Sequence, residues 1–463
     1  MSSKLFPAVI AVTLFLGGVA RAQPQITVDL SFAGIPADGT APPNTTGSIG
    51  ATEFVLWVNH QYAIYNRNGN LLQSPRPGNS IWARWMNAGP CASNGSGDPM
   101  VEYDKAAGRW VFAQLTLTNP AYYCFAISTT SEARGPFYYY KFPFANGLNP
   151  SIPRLAVWSD AYYASFNIQP SGEAAAPMVV AYDRADMLVN GTVLTPVGRR
   201  PKKPARTYFL PADYDGATPP EPGDYYMEMG GDTFLTLWRF VVNFTDPTSS
   251  TFLEINKKIP ITARGPGCSQ NPTVWESALI PQEGTAQLLL AHPEQLMYRL
   301  AWRRLGGTEH LVANWTIILQ SSPAVAAIQW VDIANPSSID PTVNEGLVSD
   351  PADTNSYWIG SAAQDRDGNI ALGFNASGPN MYPSIAIAGP LQSGTNPSAL
   401  LVVPGNGSQT NTSLWGAHAD LSLDPTDDCE FWFTAEYVPS TTPGYDWSTR
   451  VVKFHFNTCQ SAQ

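Results

Sequence analysis

The stretch LSLDPTDDCEFWFTAEY at 421–437 sets two runs of alternating apolar residues on either side of a polar turn headed by Asp424. Period-two alternation broken by turn-forming residues reads as a β-hairpin, and an aspartate at the corner can accept the backbone N–H groups of its own turn. The same phrase recurs as MVEYDKAAGRWVFAQLT at 100–116, LAVWSDAYYASFN at 155–167 and IGSAAQDRDGNIALGFN at 359–375. Asp104 and Asp160 are 56 residues apart, and Asp365 and Asp424 are 59 apart. Hairpins repeating at a spacing of tens of residues indicate a radial or stacked β architecture.

Weaker copies fill the gaps. YYMEMGGDTFLTLWRFVVNF (225–244) turns at Gly230, Gly231 and Asp232, and LMYRLAWRRLGGTEHLVANWTII (296–318) turns at Gly306 and Gly307. FVLWVNH followed by YAIYNRNGNLL (54–72) supplies a further unit. Removing residues 1–22 leaves 441 residues, 63 for each of seven units, which suits a blade of four short strands. The expectation is an all-β, seven-bladed β-propeller, with six or eight blades open as alternatives. ITVDLSF (26–32) is expected to close the ring beside TRVVKFHF (449–456) in the last blade, because two unpaired edges would otherwise invite aggregation.

Residues 1–22 read as a signal peptide, with Lys4, the apolar run Leu5 to Ala20 and the Ala20-Arg21-Ala22 site, and 23–463 as a single propeller domain. An uncleaved membrane anchor is the other reading of that run, which is short for a span. Export to the extracellular space, or to a periplasm, is therefore expected, with no membrane span after cleavage. Charged residues make up 14% of the chain and aromatic residues 12%, with 41 Pro and 37 Gly, a composition of loop-rich β proteins. The formal charge of −11 argues against nucleic acid, which requires a basic stripe. The one dense basic run, Arg199-Arg200-Pro201-Lys202-Lys203, lies in a Pro-rich loop.

In an oxidising compartment the cysteines should pair. Cys91 with Cys124, bracketing one hairpin, and Cys429 with Cys459, in the last unit, are the expected disulfides, leaving Cys268 over. N-x-S/T sequons stand at Asn44, Asn94, Asn190, Asn243, Asn314, Asn375, Asn406 and Asn411 and mark surface loops in a glycosylating host.

The strings GDPMVEYDKAAGRWVFAQ, FLPADYDGATPPEPG, LMYRLAWRRLGGTEHLVAN, SYWIGSAAQDRDGNIALGF and WGAHADLSLDPTDDCEFWFTAEY resemble a group of secreted, loosely sialidase-like bacterial β-propeller proteins. The resemblance implies a propeller and export, and it brings no reaction with it. That group's Trp-Gly-Asp-Tyr-Ser stands here as Trp415-Gly416-Ala417-His418-Ala419, so an acid is lost and His418 becomes a candidate ligand or base.

Function in a propeller is built from distant segments at the channel mouth, so short motifs are poor guides. A ligand, carbohydrate or protein, bound there is the leading expectation, and a glycoside hydrolase or lyase with acids in the central channel is the alternative. Arg154 and Arg299 are candidates to hold a ligand carboxylate, yet the S-x-D-x-G-x-T-W box of sialidases is missing. Tyr357 and Trp358, with YYYKFPF (138–144), are candidate rings for stacking on a ligand. Two-carboxylate chemistry needs facing acids. Asp160, Asp213, Asp215, Glu309 and Glu436 are placed for it, and Glu309, Asp213 and Glu436 stand out because they break the repeat. Asp365, Asp367 and Asn369 resemble half of a Ca2+ loop, as do Asp213 and Asp215, although an Asp-Gly hairpin turn explains both. A cluster of three or more ionisable groups with shifted pKa values at one mouth would favour an enzyme.

Overall fold

The computed structural model describes residues 25–95, 97–170, 175–191, 195–201, 208–263, 278–293, 295–321, 324–441 and 447–459. Residues 1–22, expected to be a signal peptide, and Cys268, Lys202 and Lys203 lie outside these residues. The described chain is almost entirely β-strand, arranged in five four-stranded sheets, one eight-stranded sheet and one hairpin.

Each four-stranded sheet is an antiparallel meander. The first unit runs Thr46–Ile49, Glu53–Val58, Gln61–Asn66 and Leu71–Pro77. The second begins at Met100–Asp104, the third at Leu148–Val157 and the sixth at Ser356–Gln364. The eight-stranded sheet is two such meanders, the fourth and fifth units, whose first strands Leu210–Tyr214 and Leu300–Leu305 pair in parallel, Asp213 opposite Ala301. In the seventh unit Asp420–Leu423, Phe431–Tyr437 and Ser448–Phe456 are completed by Ile26–Pro36 from the other end of the described chain, with Ile26 opposite Phe456 and Phe32 opposite Val451.

The first strands touch one another in a closed cycle, first unit to second and onward to the seventh, which returns to the first. Like ends meet: Thr46 Oγ1 donates to Asp420 Oδ2 at 3.1 Å and Leu421 N donates to Ser361 Oγ at 3.0 Å. Sheets standing radially around an axis are a β-propeller. Burial follows from that geometry. Ile370–Gly378, a second strand, is buried at every residue, whereas Leu71–Pro77, an outermost strand, is exposed along most of its length. Neighbouring sheets cover both faces of the inner strands, so those strands carry nearly continuous apolar runs. Packing between sheets is close. A Cβ on Gly373 would sit 2.4 Å from the Phe433 ring of the next unit, so no larger residue fits there.

The corner aspartates do two jobs, only one of which is local. Asp104 Oδ1 accepts Ala107 N at 3.0 Å, Asp365 Oδ1 accepts Asp367 N and Asn369 N at 3.0 and 2.8 Å, and Asp424 Oδ1 accepts Thr426 N at 2.9 Å. Asp104 also receives Tyr162 Oη (2.9 Å) and Arg184 Nε (2.6 Å) from the third unit, and Asp160 receives Gly223 N (3.0 Å) from the fourth. Two units are out of phase with the others: FVLWVNH and YAIYNRNGNLL (54–72) cover the second and third strands of the first unit, Glu53–Val58 and Gln61–Asn66, and the fourth unit behaves the same way. The turn at Gly230 to Asp232 joins the second and third strands of the fourth unit, Asp224–Gly231 and Phe234–Val241. The true counterpart of the other corner aspartates there is Asp215, directly after Leu210–Tyr214.

Both expected disulfides are present, Cys91–Cys124 and Cys429–Cys459, with Cα separations of 5.9 and 5.5 Å. Among the described residues no helix is long and apolar enough to cross a membrane. The sequons at Asn44, Asn314 and Asn375 do not lie on surface loops. Those side chains are 9%, 0% and 1% exposed, because two of them sit in inner blade strands and Asn44 packs at the axis.

Candidate functional site

Each inner strand turns alternate side chains toward the axis, and several of those side chains are ionisable. Glu102 comes from the second unit, Arg154 from the third, Asp213 from the fourth, Asp420 from the seventh, and Tyr298 and Arg299 precede the inner strand of the fifth. All are at most 5% exposed.

At the end where the inner strands leave the axis, charges are paired. Arg299 donates to Asp213 Oδ2 at 2.6 Å and to Asp215 Oδ2 at 2.8 Å, Lys105 binds Asp215, and Arg303 Nη2 meets Asp428 Oδ1 at 3.0 Å. Burial alone would raise the Asp215 carboxyl, but Arg299 and Lys105 outweigh it and hold the group well below the usual carboxylate range. Burial likewise works against the Arg299 cation, and Asp215 and Asp213 overcome it.

In the middle of the axis burial raises the pKa of the acids. Burial, reinforced by the Asp213 and Asp420 carboxylates, pushes Glu102 well above its ordinary pKa. Burial raises Asp420 to about 7, against the opposing effect of the Gly47 N–H (3.1 Å). The Tyr298 hydroxyl contacts both Glu102 Oε1 and Leu155 O, the latter at 3.0 Å. The Tyr298 hydroxyl has one proton to offer these two acceptors, and its bond to Glu102 opposes the rise that burial imposes on that carboxyl.

The other end of the axis, termed the mouth, is where the chain arrives at the inner strands, and Asn44, Gln295 and His418 there are 9%, 1% and 3% exposed. Asn44 Nδ2 donates to Asp98 Oδ1 at 2.6 Å, and Asn44 Oδ1 accepts Ala417 N at 2.9 Å. His418 Nδ1 lies 3.1 Å from Thr45 O and so carries the ring proton, which leaves Nε2 an acceptor. Burial and the nearby Arg154 charge push the His418 pKa down to about 3, so the ring is neutral. Gln295 reaches over the axis, accepting Arg154 Nη2 at 3.4 Å from the third unit and donating to Ala417 O at 3.4 Å in the approach to the seventh. Gln295 is delivered by the chain that follows the hairpin Ala278–Gln282 and Thr285–Leu290, itself anchored on the sixth unit through Ser377 Oγ to Pro281 O at 2.7 Å.

Backbone conformation is unusual around this mouth. Asn44, Asp98, Ile152, His292 and Ile359 all have φ between +45° and +50°. For a β-branched isoleucine this is a sparsely populated region that costs about 1–3 kcal/mol and tends to cluster at functional sites. Ile152 and Ile359 sit at register shifts just ahead of Arg154 and Ser361, where a bulge re-aims the following side chain toward the axis.

The sequence candidates separate on this frame. Asp213, Arg154, Arg299 and His418 converge on the axis. Glu436 lies one strand out, 3% exposed, accepting Gly416 N at 2.5 Å, and burial raises its pKa well above the ordinary value. Glu309 lies away from the axis, accepting the Tyr225 hydroxyl at 2.8 Å. Tyr357 and Trp358, expected as stacking rings, are 7% and 0% exposed, and Trp358 packs against Trp415 at 5.8 Å. These are core rings with no free face for a ligand. Tyr138 and Tyr139 lie on an outermost strand, where Tyr139 stacks on Trp85 at 5.8 Å. The Asp365 carboxylate accepts Asp367 N, Asn369 N and Asn369 Nδ2, the hydrogen bonds of an Asp-headed turn. Among the described residues no group of three or more His, Cys, Asp or Glu is placed to hold a metal ion. Asp213 and Asp215 hold Arg299 and Lys105. Sequence reasoning missed Glu102, Tyr298, Asp420, Asn44, Asp98 and Gln295. Glu102 lies between Val101 and Tyr103, and Asp420 heads the buried strand Asp420–Leu423; acids at buried strand positions are the signal that could have found them.

No protein-family model matches the chain, and comparison with curated proteins finds no match. Among solved structures it is similar to an α-L-arabinanase of Penicillium chrysogenum complexed with arabinobiose, at 9% identity and a TM-score of 0.41, covering 92% of this chain and 98% of that one. An ulvan lyase of a polysaccharide lyase family is similar at 11% identity and 0.41, covering 90% and 93%. A subtype N11 neuraminidase-like protein of A/flat-faced bat/Peru is similar at 9% identity and 0.39, covering 96% and 99%. Likeness of this degree transfers no chemistry. The propeller rests on the strand pairing and the closed cycle of inner strands.

Proposed function

We infer that the chain is an exported, seven-bladed β-propeller that binds a carbohydrate ligand at the axial mouth. Seven four-stranded units in one closed cycle support the blade number. Two disulfides support an oxidising destination.

The observation that carries the binding reading is the asymmetry of the axis. One end is closed by charge pairs that satisfy each other. The mouth instead gathers amide, imidazole and guanidinium groups, bonded to Asp98, to backbone carbonyls and to one another on a strained backbone. Convergent polar groups of fixed orientation are what recognition of a hydroxyl-rich ligand requires.

Acid–base catalysis by a hydrolase or lyase is the second reading. It is favoured by the environments that pull the axial acids apart, Glu102 and Asp420 upward and Asp215 downward. Such divergence is how an acid and a base are set in one site. The burial of Glu102, Tyr298 and Asp420 places those acids beneath the mouth, which ranks this reading second.

The test is retention of the purified protein on a panel of immobilised polysaccharides, followed by product analysis on whichever is retained. Retention without new reducing ends or unsaturated products supports binding. Turnover that disappears in Glu102→Gln or Asp420→Asn while retention persists establishes the catalytic reading. Absence of retention on every polysaccharide overturns both.

A further inference from the structure

Blades diverge with distance from the axis, so outer strands of neighbouring units need bulky side chains to fill the wedge between them. Between the second and third units that filling is incomplete. A cavity of about 390 Å3 separates Phe137–Pro143, the outermost strand of the second unit, from Ala176–Asp183 and Val197–Arg199 in the third. The outermost strand of the third unit is three residues long and sets Gly198, which has no side chain, opposite Val180. Phe142, Phe144, Val180 and Tyr182 form buried walls, and Pro143 and Thr195 at the rim are exposed, so the cavity opens to solvent.

The lining is apolar and carries no charge into the cavity. Alternation along Phe137–Pro143 turns Phe142 toward the third unit, where it meets Tyr182 at 4.9 Å. Lys141 sends its ammonium to the other face, onto Asn87 O and over the Trp85 ring. Among the described residues no carboxylate lines the cavity. The buried wall has one polar side chain, Tyr182. Its ring packs against Phe125 and Phe142, but among the described residues its hydroxyl has no hydrogen-bond partner. A buried tyrosine hydroxyl ordinarily finds one. Burial also raises its pKa well above the ordinary value, so the hydroxyl keeps a proton to donate.

Size narrows the occupant. An apolar cavity of about 150 Å3 holds one benzene ring, so one of about 390 Å3 suits about two to three rings. An ionised ligand would lose its hydration here and meet no opposite charge.

We propose that this cavity binds an uncharged aromatic molecule of two or three rings, with an acceptor oxygen of the ligand taking the hydrogen bond that the Tyr182 hydroxyl has to offer. The site lies on the flank of the ring between two blades, apart from the axial mouth, and goes beyond the mouth reading.

The test titrates the purified protein with flavone and with three naphthalenes that differ at one position: 2-acetonaphthone, neutral with an acceptor; 2-ethylnaphthalene, neutral without one; and 2-naphthoate, charged. Parent, Tyr182→Phe and Val180→Phe are compared by calorimetry. The parent is expected to bind flavone and 2-acetonaphthone, the latter fivefold or more tighter than 2-ethylnaphthalene and tenfold or more tighter than 2-naphthoate. Tyr182→Phe should erase the preference for the ketone while leaving 2-ethylnaphthalene binding unchanged. Val180→Phe fills the cavity and should weaken every neutral ligand tenfold or more. If Val180→Phe fails to fold, Leu148→Trp fills the cavity from its rim and is held to the same result. Absence of binding of any neutral ring by the parent overturns the proposal. So does binding that the filling variant leaves unchanged, or a ketone preference that survives Tyr182→Phe. Retention on polysaccharides is a separate readout, so failure here leaves the mouth reading standing.

Discussion

Arg67 of the first unit grips Asp424 of the seventh, with Nη1 3.0 Å from Oδ1 and Nη2 on Oδ2. The Asp424 side chain is fully buried, and it also accepts the Trp432 indole at 3.2 Å. The repeated corner aspartate is thus used a second time, to lock the last blade onto the first. The ring is closed twice in sequence-distant ways, once by this pair and once by Ile26–Pro36 lying against Ser448–Phe456.

Both closures can be cut. Arg67→Ala leaves a buried carboxylate short of its cation and should cost about 2–3 kcal/mol in thermal or denaturant unfolding. Deleting residues 23–35 exposes a whole edge of the last sheet and should lower the melting temperature by on the order of 10 °C or more. A truncated protein that melts with the parent contradicts closure by this strand.

Stability should fall as pH rises from acidic to neutral. Glu102, Asp420, Asp224 and Glu436 all have folded-state pKa values raised by burial. The folded protein therefore keeps protons that the unfolded chain releases from about pH 4 upward, and stability is lost across the window up to about 7, where Asp420 titrates. His418 works the other way. Its folded pKa of about 3 gives stability above the unfolded value of about 6.5 that is lost as pH drops, which offsets one of the four acids. The melting temperature is expected to be higher at pH 5 than at pH 8. Asp420→Asn should flatten the slope by about 1.4 kcal/mol per pH unit. A melting temperature that climbs steadily from pH 4 to 8 contradicts the axial assignment.

Glycan occupancy should sort by burial. Expressed in a glycosylating host, the protein is expected to carry glycans at some of the exposed Asn190, Asn243, Asn406 and Asn411 and none at Asn44, Asn314 or Asn375. Peptide mass spectrometry reads this directly. A fully occupied Asn314 in folded protein would mean that its strand is not where the fold places it.

The propeller was legible because each blade repeats a hairpin with an aspartate corner, and repetition survives even where single strands are ambiguous. The fourth unit was misphased for a physical reason. Its first hairpin is spread across residues 215–223, a Pro-rich loop, while the tight Gly230 to Asp232 turn that resembles the motif belongs to the next pair of strands. The site was less legible. Asp213, Arg154, Arg299 and His418 could be singled out as chemistry-bearing residues, but convergence on an axis depends on which alternate positions of separate strands face inward. Tyr357 and Trp358 misled because aromatic residues between blades and aromatic residues at a mouth look alike in sequence. Glu102 was passed over as one residue of a repeated hairpin, although a carboxylate between Val101 and Tyr103 at the centre of an inner strand has no solvent to face.

Hydrogen exchange with and without a bound glycan tests the central claim most directly, since it locates the ligand on the ring. Protection is expected to concentrate in peptides covering 44–47, 98–102, 152–155, 295–299 and 416–420, which meet only at the mouth. Protection confined to the outermost strands, or to the paired-charge end around Lys105, Asp215 and Asp428, would contradict it.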